Sequence, residues 1–419
     1  MHHPPPGALR ATFALLLAAL PLHAQTAPVA GDRVRTVADS LHGAVGGVAV
    51  DAIGTIYVAD FGDKVFRVTP SGEVSVFARG LYGASGNRVD ARGRLLQSNF
   101  SGNTISRIDR LGNVETFAEG LQGPVGIAID HAKGDVYACN CRGNTIARVS
   151  SAGQVTEFAK SDLFNCPNGI TFGPDSNLYV VNFSDGRMLK IARDGKVVEH
   201  AVIPGGGNGH VAAMRGALYA TSFRGHRIHR VTLDGEVTPF AGTGSPGEAD
   251  GPALEAQFTF PNGIAPGPTG DRLYVNDFIN RFPPTLEAPP QPLYSVRQIT
   301  LASFSSHLAA ALGAGGIEAM AAAYEAWKKD PATAALFTET EVNAMGYQLM
   351  GTGQLHAALR LFELNAGTYP QSANAWDSLA EAHMKHGGRE KAIELYEKSL
   401  ELNPGNTNAQ NMLKTLRES

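Results

Sequence analysis

Residues 167–195 read PNGITFGPDSNLYVVNFSDGRMLKIARDG, and variants of this stretch recur along the chain. It holds two apolar runs, ITF and LYVV, and a weaker third run, MLKI. The turn-forming pairs Asp175-Ser176, Asp185-Gly186 and Asp194-Gly195 follow these runs. Short β-rich runs bounded by such residues predict strands that are joined by hairpins.

The first strand of each copy opens on a glycine; the first five copies begin about forty residues apart, and the sixth begins 54 residues after the fifth. These opening glycines are Gly47, Gly86, Gly126, Gly169, Gly209 and Gly263. The second strands end in IYVAD, LLQSN, VYACN, LYVVN, LYATS and LYVND. Their nearly continuous apolar character is typical of sheets that are buried on both faces. Four strands per copy at this period predict an all-β propeller.

The sixth copy has only three strands and ends in LYSVRQITL, residues 293–301. The missing strand has a counterpart at the start of the repeats, because residues 33–43, RVRTVADSLHG, resemble fourth strands such as EVSVFARGL. An open ring would leave two sheet edges exposed. We therefore expect six blades over residues 33–302, with the N-terminal strand closing the last blade.

The composition changes after Leu301 to Ala, Glu, Leu and Lys with helical spacing. Residues 303–338 predict linking helices, and residues 339–419 repeat at about 34 residues, with Gly353 corresponding to Gly387. The second unit resembles the tetratricopeptide pattern through Trp376, Leu379, Ala380, Gly387, Ala392, Tyr396 and Pro404. The predicted fold is multidomain: a six-bladed propeller, then an all-α domain of two tetratricopeptide (TPR) units and a capping helix.

The N-terminus predicts export. Residues 1–24 contain an arginine, an apolar run at 11–22 and a small-residue end, which are typical of a secretory signal peptide. The alternative is an N-terminal anchor, although the run is too short to span a bilayer. No other stretch approaches spanning length, so we expect no membrane span in the mature chain and a periplasmic or extracellular location. The net charge of −4 and the pI of about 6.4 argue against nucleic-acid binding.

The chain has three cysteines, and an exported protein with an odd number is expected to form one disulfide and keep one free thiol. Cys141 follows the second strand of the third blade, and Cys166 precedes the first strand of the fourth. Both should lie at the same end of adjacent blades, which favours a Cys141–Cys166 bridge. A Cys139–Cys166 bridge is the alternative.

Two columns of residues should ring one end of the propeller, where the fourth-to-first and second-to-third connections meet. The column before the opening glycines is Gly46, Ser85, Val125, Asn168, Asn208 and Asn262. The column that closes the second strands is Asp60, Asn99, Asn140, Asn182, Ser222 and Asp277. This polar well predicts a ligand site, for which the candidates are Asn99, Asn140, Asn182 and His226. The alternative is that these side chains close turns and cap strand ends.

The repeats GVAVDAIGTIYVADFGDKVFRV and FAGTGSPGEADGPALEAQFTFPNGIA resemble NHL repeats, and the PNGI of blade 4 resembles the regucalcin–gluconolactonase family. This resemblance covers residues 33–301 and implies a divalent metal at the mouth. Asn168 matches one of the family's ligands, whereas Gly46 and Asn208 stand where carboxylates are expected. Asp60 and Asp277 are the candidates to complete a calcium or zinc site with Asn168 and Asn208, because hard cations need anionic oxygens.

His210 stands out in blade 5, because most other blades carry Ile or Val in the corresponding column. A histidine near the mouth is a candidate general base. The alternative is a histidine that is held by hydrogen bonds between blades.

The first functional hypothesis is an exported binding or scaffold protein. Its propeller mouth would take a small-molecule or sugar-like ligand, and its TPR groove would take a protein or peptide. The alternative is a metal-assisted lactone or ester hydrolase of the gluconolactonase type, with a lyase acting through His210 as a third option. The motif G-x-S-x-G of serine hydrolases does not occur in the chain.

Overall fold

A computed structural model describes residues 32–279, 292–330 and 338–418. The expected signal peptide, residues 1–24, lies outside this range. Five blades follow one another as four-stranded antiparallel sheets whose strands run in sequence order. Blade 1 consists of β2 (Val48–Val50), β3 (Ile56–Ala59), β4 (Lys64–Val68) and β5 (Val74–Arg79), and blade 2 of β6 (Ala84–Val89), β7 (Leu95–Asn99), β8 (Thr104–Ile108) and β9 (Val114–Ala118). Blade 3 consists of β10 (Pro124–Asp130), β11 (Asp135–Asn140), β12 (Thr145–Val149) and β13 (Val155–Lys160), and blade 4 of β14 (Pro167–Phe172), β15 (Leu178–Asn182), β16 (Arg187–Ile191) and β17 (Val197–Val202). Blade 5 consists of β18 (Asn208–Met214), β19 (Ala217–Ser222), β20 (Arg227–Val231) and β21 (Val237–Ala241).

The sixth blade is closed by the N-terminal strand, as predicted. Its own strands are β23 (Ile264–Pro266), β24 (Arg272–Ile279) and β25 (Leu293–Thr300), and β1 (Arg33–His42) pairs antiparallel with β25. A two-residue strand, β22 (Gly251–Pro252), adds a fifth member by pairing with the start of β1. The sheet order is therefore β22-β1-β25-β24-β23, and the insertion before blade 6 covers the outer edge of the closing strand.

Neighbouring blades pack through apolar side chains on both faces of each sheet. Between blades 2 and 3, for example, Ile105 lies in one cluster with Ile127 and Val136, all of them buried. Burying a side chain of this size contributes about 1.5–3 kcal/mol. Because every inner sheet face meets another sheet, the second strands are apolar at nearly every position, as the sequence indicated.

The innermost strands approach one another backbone to backbone at the opening glycines. A Cβ atom added to Gly86 would lie 2.8 Å from the Cα of Gly126, and one added to Gly126 would lie 3.0 Å from the Cα of Gly169. Side chains do not fit at such separations, so these positions require glycine. We call this constriction of the central channel the waist.

The tail consists of α1 (Phe304–Lys329), α2 (Glu339–Gly351), α3 (Leu355–Thr368), α4 (Ala373–Lys385), α5 (Arg389–Leu402) and α6 (Thr407–Glu418). Non-helical backbone angles at Gly315 and Gly316 kink α1. The six helices share one core, which includes Trp327 of α1, Phe362 of α3 and Tyr396 of α5. None of the described helices combines the length and apolarity that a bilayer span requires.

Several polar contacts join the segment from Ala302 to Asp330 to the propeller, including a hydrogen bond of 2.7 Å from the N–H of Ala302 to Asp32. Asp330 forms an ion pair of 2.6 Å with Arg230 of β20. Arg215, in the turn after β18, donates a hydrogen bond of 3.0 Å to the carbonyl oxygen of Ala302.

Candidate functional site

The fourth-to-first and second-to-third connections interlock at one end of the propeller, which we call the mouth. In blade 1, the N–H of Phe61 donates to the carbonyl of Ala84 at the start of blade 2, at 2.8 Å. In the other five blades, the corresponding residue donates its N–H to a carbonyl of the fourth-to-first connection that leads into the same blade. These bonds are Phe100 to Gly83 (2.8 Å), Cys141 to Gly123 (3.1 Å), Phe183 to Cys166 (3.0 Å), Phe223 to Gly207 (2.8 Å) and Phe278 to Thr259 (2.8 Å). The residues at this step are therefore fixed around the mouth.

Phenylalanine occupies this step in five of the six blades and forms an aromatic rim. We define the phenylalanine collar as these five residues, Phe61, Phe100, Phe183, Phe223 and Phe278, together with Phe260 from the fourth-to-first connection before blade 6. Ring centroids are 6.2 Å apart for Phe183 and Phe223, 4.9 Å for Phe223 and Phe260, and 6.4 Å for Phe260 and Phe278. Phe61 and Phe100 lie 5.4 Å apart on the other side. The sequence shows a phenylalanine directly after the Asp, Asn or Ser that ends most second strands. It does not show that these rings are exposed to solvent.

The collar rings are not buried, which is unusual for so many large apolar side chains on one surface. Phe61 is 43% exposed and Phe260 is 37% exposed, and the others are partly buried. Phe61 and Phe260 also have φ angles of 58° and 52°, a region that bulky residues rarely adopt. The loops thus hold apolar rings toward solvent at a conformational cost.

His226 lies beside the collar, at the mouth where the sequence placed it. Its ring centroid is 4.9 Å from that of Phe260. The backbone N–H of Phe260 donates to Nδ1 of His226 at 3.3 Å, which leaves Nε2 to carry the proton of the neutral ring. Burial lowers the pKa of His226, so the imidazole is neutral at physiological pH.

The placement of Asn208 and His210 in blade 5 differs from the sequence alignment by one residue. In blade 4, Pro167 pairs with Asn182 and lies two residues before the waist residue Gly169. Asn208 pairs with Ser222 in the same way, so it also lies two residues before the waist position and not one. His210, and not Gly209, takes the waist position, because its N–H donates to the carbonyl of Asn262 at 3.0 Å as Gly47 donates to Ser85. The alignment that placed Asn208 directly before the opening position of blade 5 is therefore shifted by one residue, and metal binding by Asn208 stays a prediction.

His210 is the one side chain on a waist that is otherwise glycine in the described blades. It is only 2% exposed. Burial, together with the charge of Arg88, lowers the pKa of His210 to about 3, so its ring is neutral at physiological pH. Its role as a general base remains a prediction, since the described contacts show no substrate position.

Arg88 crosses the central channel directly below the waist, a feature that the sequence analysis did not single out. Its guanidinium donates to the carbonyls of Asn87 (2.9 Å), Ile170 (3.4 Å) and Val211 (3.3 Å), which belong to blades 2, 4 and 5. The equivalent positions hold small side chains, namely Ala49, Ala128, Thr171, Ala212 and Ala265. Arg88 and His210 therefore form the floor of the mouth.

The predicted ligand-binding amides brace the mouth loops. Asn140 accepts from the N–H of Gln122 at 3.1 Å, and Asn182 donates to the carbonyl of Leu163 at 2.8 Å. Asn99 donates to Ser106 at 2.8 Å. Three oxygen atoms, Oδ1 of Asn99, Asn182 and Asn208, are buried without a hydrogen-bond partner among the described residues. Ligand binding by these residues remains a prediction, and the unpaired oxygens are what a polar ligand group or water would satisfy.

Three of the four candidate metal ligands, Asp60, Asp277 and Asn168, have side chains that are engaged in other contacts, whereas the side chain of Asn208 has no hydrogen-bond partner among the described residues. Asp60 lies 3.3 Å from Nζ of Lys64, and Asp277 lies 3.3 Å from Nη1 of Arg297. The amide of Asn168 donates to the carbonyl of Asn208 at 3.0 Å. Among the described residues, no group of three or more His, Cys, Asp or Glu side chains is arranged to hold a metal ion. The donor set therefore fits calcium or zinc poorly, and the metal stays a prediction.

A disulfide joins Cys141 to Cys166, the pairing that the sequence analysis placed first, and Cys139 is free and buried. The bridge ties the second-to-third connection of blade 3 to the fourth-to-first connection of blade 4. In blade 3, Cys141 occupies the position directly after the second strand, where the other blades have phenylalanine.

Removing this bridge is expected to destabilise the propeller. The cross-link spans 25 residues of sequence, for which the chain-entropy model gives about 3 kcal/mol. We expect the Cys141→Ser/Cys166→Ser variant to lose this amount in urea unfolding relative to Cys139→Ser, the matched control that keeps the bridge. Thiol titration of the unreduced, denatured protein should find one thiol. Three thiols would contradict the assignment.

Comparisons with known proteins agree with the fold. Family models match residues 126–265, described as a repeat of unknown function (DUF6923), and residues 373–406, described as a tetratricopeptide repeat. No curated protein shows significant sequence similarity to the chain.

Three solved structures illustrate the similarity of the propeller. An auxiliary nutrient binding protein from Bacteroides thetaiotaomicron VPI-5482 has a TM-score of 0.53 at 15% identity, covering 64% of this chain and 76% of that one. A structural genomics protein of unknown function from the same organism has a TM-score of 0.52 at 16% identity, with coverages of 64% and 76%. A gluconolactonase from Xanthomonas campestris has a TM-score of 0.49 at 18% identity, with coverages of 65% and 91%, which is too weak to carry an argument. At these identities the likeness concerns the fold alone, and the chain is a six-bladed β-propeller joined to a helical tail with a tetratricopeptide repeat.

Proposed function

We propose that this protein is an exported binding protein whose propeller mouth takes a small ligand with a flat apolar face, such as a sugar ring, and whose TPR tail takes a protein or peptide. The phenylalanine collar carries this proposal. Ligand sites are concave and lined by aromatic side chains with a few polar groups that fix orientation. The collar supplies the aromatic surface, and the unpaired oxygens of Asn99, Asn182 and Asn208 supply the polar groups.

The closed floor supports binding at the mouth rather than passage through the ring. Arg88 reaches from blade 2 to carbonyls of blades 4 and 5 below the waist, and His210 is buried at the waist, which supports a ligand that stops at the mouth. At neutral pH the floor presents a neutral imidazole above a guanidinium, because burial lowers the pKa of His210 to about 3 and that of Arg88 only to about 10.

The state of the two aspartates favours binding over metal-assisted hydrolysis. A divalent ion at the mouth would have to displace Lys64 from Asp60 and Arg297 from Asp277. The second displacement would leave a buried arginine without its partner, which is strongly unfavourable.

The disulfide supports export. Bridges such as Cys141–Cys166 persist in oxidising compartments and are rare in the cytosol. The TPR tail supports a protein partner, since solenoid repeats present extended surfaces for binding. Tyr347 of α2, 37% exposed, donates to Glu381 of α4 at 3.1 Å and offers one aromatic contact on that surface.

Replacing a collar ring should weaken ligand binding without unfolding the protein. We expect a panel of monosaccharides, disaccharides and aromatic acids, screened by thermal shift and then calorimetry, to yield a ligand that binds wild-type protein. Phe223→Ala should weaken that ligand about tenfold or more, since an aromatic contact and its buried area are worth at least 1.4 kcal/mol. Phe77→Ala is the matched control, because Phe77 is also partly buried but packs on Tyr57 in blade 1, away from the collar. Equal loss in both variants, or metal-dependent lactone turnover, would overturn the proposal.

A further inference from the structure

A second pocket lies between blades 2 and 3, at the end of the propeller opposite the mouth. Its volume is about 430 Å³. Its walls are the turn between β6 and β7, the turn between β10 and β11, and the outer strands of blade 2. This volume is within the usual range of small-molecule sites.

The pocket carries an excess of positive charge. Arg92, Arg94, Arg107 and Lys133 line it, and Asp90 is the one carboxylate among its lining residues. Asp90 is already engaged, because its Oδ2 accepts from Nε of Arg94 at 2.8 Å and the contact lowers the pKa of the carboxyl group. Arg92 and Lys133 have no ion-pair partner in the part of the chain that the structure describes.

Two further carboxylates beside the pocket, Asp130 and Asp135, are paired with arginines that do not line it. Asp130 and Asp135 flank the turn that contributes Lys133, but neither lines the cavity. Asp130 binds Arg193 of blade 4 at 3.0 Å, and Asp135 binds Arg148 at 2.6 Å. Asp130 and Asp135 therefore do not neutralise the cationic side chains that line the pocket.

Arg107 is held in place at the pocket wall. Its guanidinium lies 4.1 Å from the ring centroid of Phe117 and 3.1 Å from Glu115, whose side chain is 64% exposed. The Nε atom of Arg107 is buried and has no hydrogen-bond partner among the described residues. A stacked arginine of this kind is pre-organised to bind an oxyanion, because its fork of donors is already oriented.

The neighbouring pocket between blades 1 and 2 provides an internal comparison. It has a volume of about 590 Å³, and its charged lining consists of Asp51 and Asp90 opposite Arg67 and Arg110. Two carboxylates and two cations balance there. The excess of cations is thus particular to the groove between blades 2 and 3, and it does not follow from the propeller repeat itself.

We infer that the groove between blades 2 and 3 is a binding site for a small molecule that carries a multiply charged oxyanion, such as a phosphate or polycarboxylate group. Arg92 and Lys133 supply mobile donors at the entrance, and Arg107 supplies a fixed one at the wall. A concave surface lined by one sign of charge concentrates its counter-ion. This site is independent of the mouth and of the function proposed for it.

The test is calorimetric titration of the full chain with inorganic phosphate and, separately, with citrate, at ionic strength held constant with sodium chloride. We expect saturable binding of at least one probe. The Arg92→Gln/Lys133→Gln variant should bind about tenfold more weakly or worse, as the loss of one charge-assisted hydrogen bond implies. Both side chains are exposed, so the unliganded melting temperature should not change. Preference for phosphate or for citrate will tell which oxyanion the site favours.

The Lys160→Gln/Lys196→Gln variant is the matched control, because it removes the same charge from two exposed lysines that do not line the pocket. It should keep the wild-type affinity, and Phe223→Ala at the mouth should keep it too. The inference is overturned if neither probe gives saturable heat at millimolar concentration. It is also overturned if both double variants lose affinity equally, which would show only a general charge effect.

Discussion

Alanine at Gly126 is expected to reduce the unfolding free energy of the propeller by about 3 kcal/mol or more, because the waist has no room for a methyl group. The new Cβ atom would lie 2.3 Å from the carbonyl oxygen of Asn168 and 3.0 Å from the Cα of Gly169. Both atoms belong to the backbone of the next blade, so neither can turn away as a side chain would. Scanning calorimetry should show a melting temperature lower by roughly 6 °C or more.

Gly102→Ala is the matched control for this prediction. Gly102 lies in the connection between β7 and β8 of blade 2, near the mouth. A Cβ atom added there would be 3.4 Å from the nearest atoms, which is an ordinary contact. We expect a change within about 1 kcal/mol for this variant. If Gly126→Ala is no worse than Gly102→Ala, the inner strands are not packed as tightly as described.

The Arg297→Met substitution should lower the free energy of unfolding by an amount that depends on pH. Arg297 and Asp277 are 1% and 0% exposed, and removing one member of such a buried pair costs about 3–5 kcal/mol. Even with Arg297 present, burial raises the pKa of Asp277 to about 6, above the ordinary value of 3.8. A carboxyl group whose pKa is raised in the folded state destabilises the fold as pH rises above the unfolded value. Arg297→Met should therefore lose more stability at pH 8 than at pH 5, as measured by urea unfolding.

Rescue by a second substitution separates this charge effect from a packing defect. Asp277→Asn in the Arg297→Met background removes the unpaired charge and should recover part of the stability at pH 8. Arg297 also donates to the carbonyls of Gln257 and Ala249 and binds Asp250 at 2.7 Å, so recovery will be incomplete. The same loss at both pH values, with no recovery, would mean that Asp277 is not charged in the folded protein.

The repeat pattern predicted the fold well because it is local. Strand runs, hairpin pairs and their period give six blades, and the likeness between residues 33–43 and the fourth strands gives the closing strand. The tail followed from its own period in the same way. Each strand and helix is indicated by its own neighbouring residues, and the period and the closing strand follow from comparing these short patterns between copies.

The site was predicted less well because its features depend on three-dimensional register. Blade 5 begins with the run GGGNGH, which allows several alignments of its opening glycine. Its first hairpin is also shorter, with Met214 paired to Ala217, so spacing could not decide that His210 takes the waist position. Arg88 is one arginine among many in the sequence, and only the ring brings it to the carbonyls of blades 4 and 5. The collar was visible as a pattern, but its exposure depends on loops that hold Phe61 and Phe260 in a rare backbone conformation.

The closing strand has a consequence for the order in which a nascent chain folds. β1 leaves the ribosome first, yet its partner β25 is among the last strands made, and the side-chain contact between Arg35 and Gln298 spans 263 residues. At ordinary rates of synthesis that interval is roughly 13–50 s, during which β1 remains without its partner strand. Ring closure is thus the step with the longest loop to close and the greatest exposure to intermolecular strand pairing. The helical tail is synthesised only after β25, so it begins to form once every strand of the ring is present.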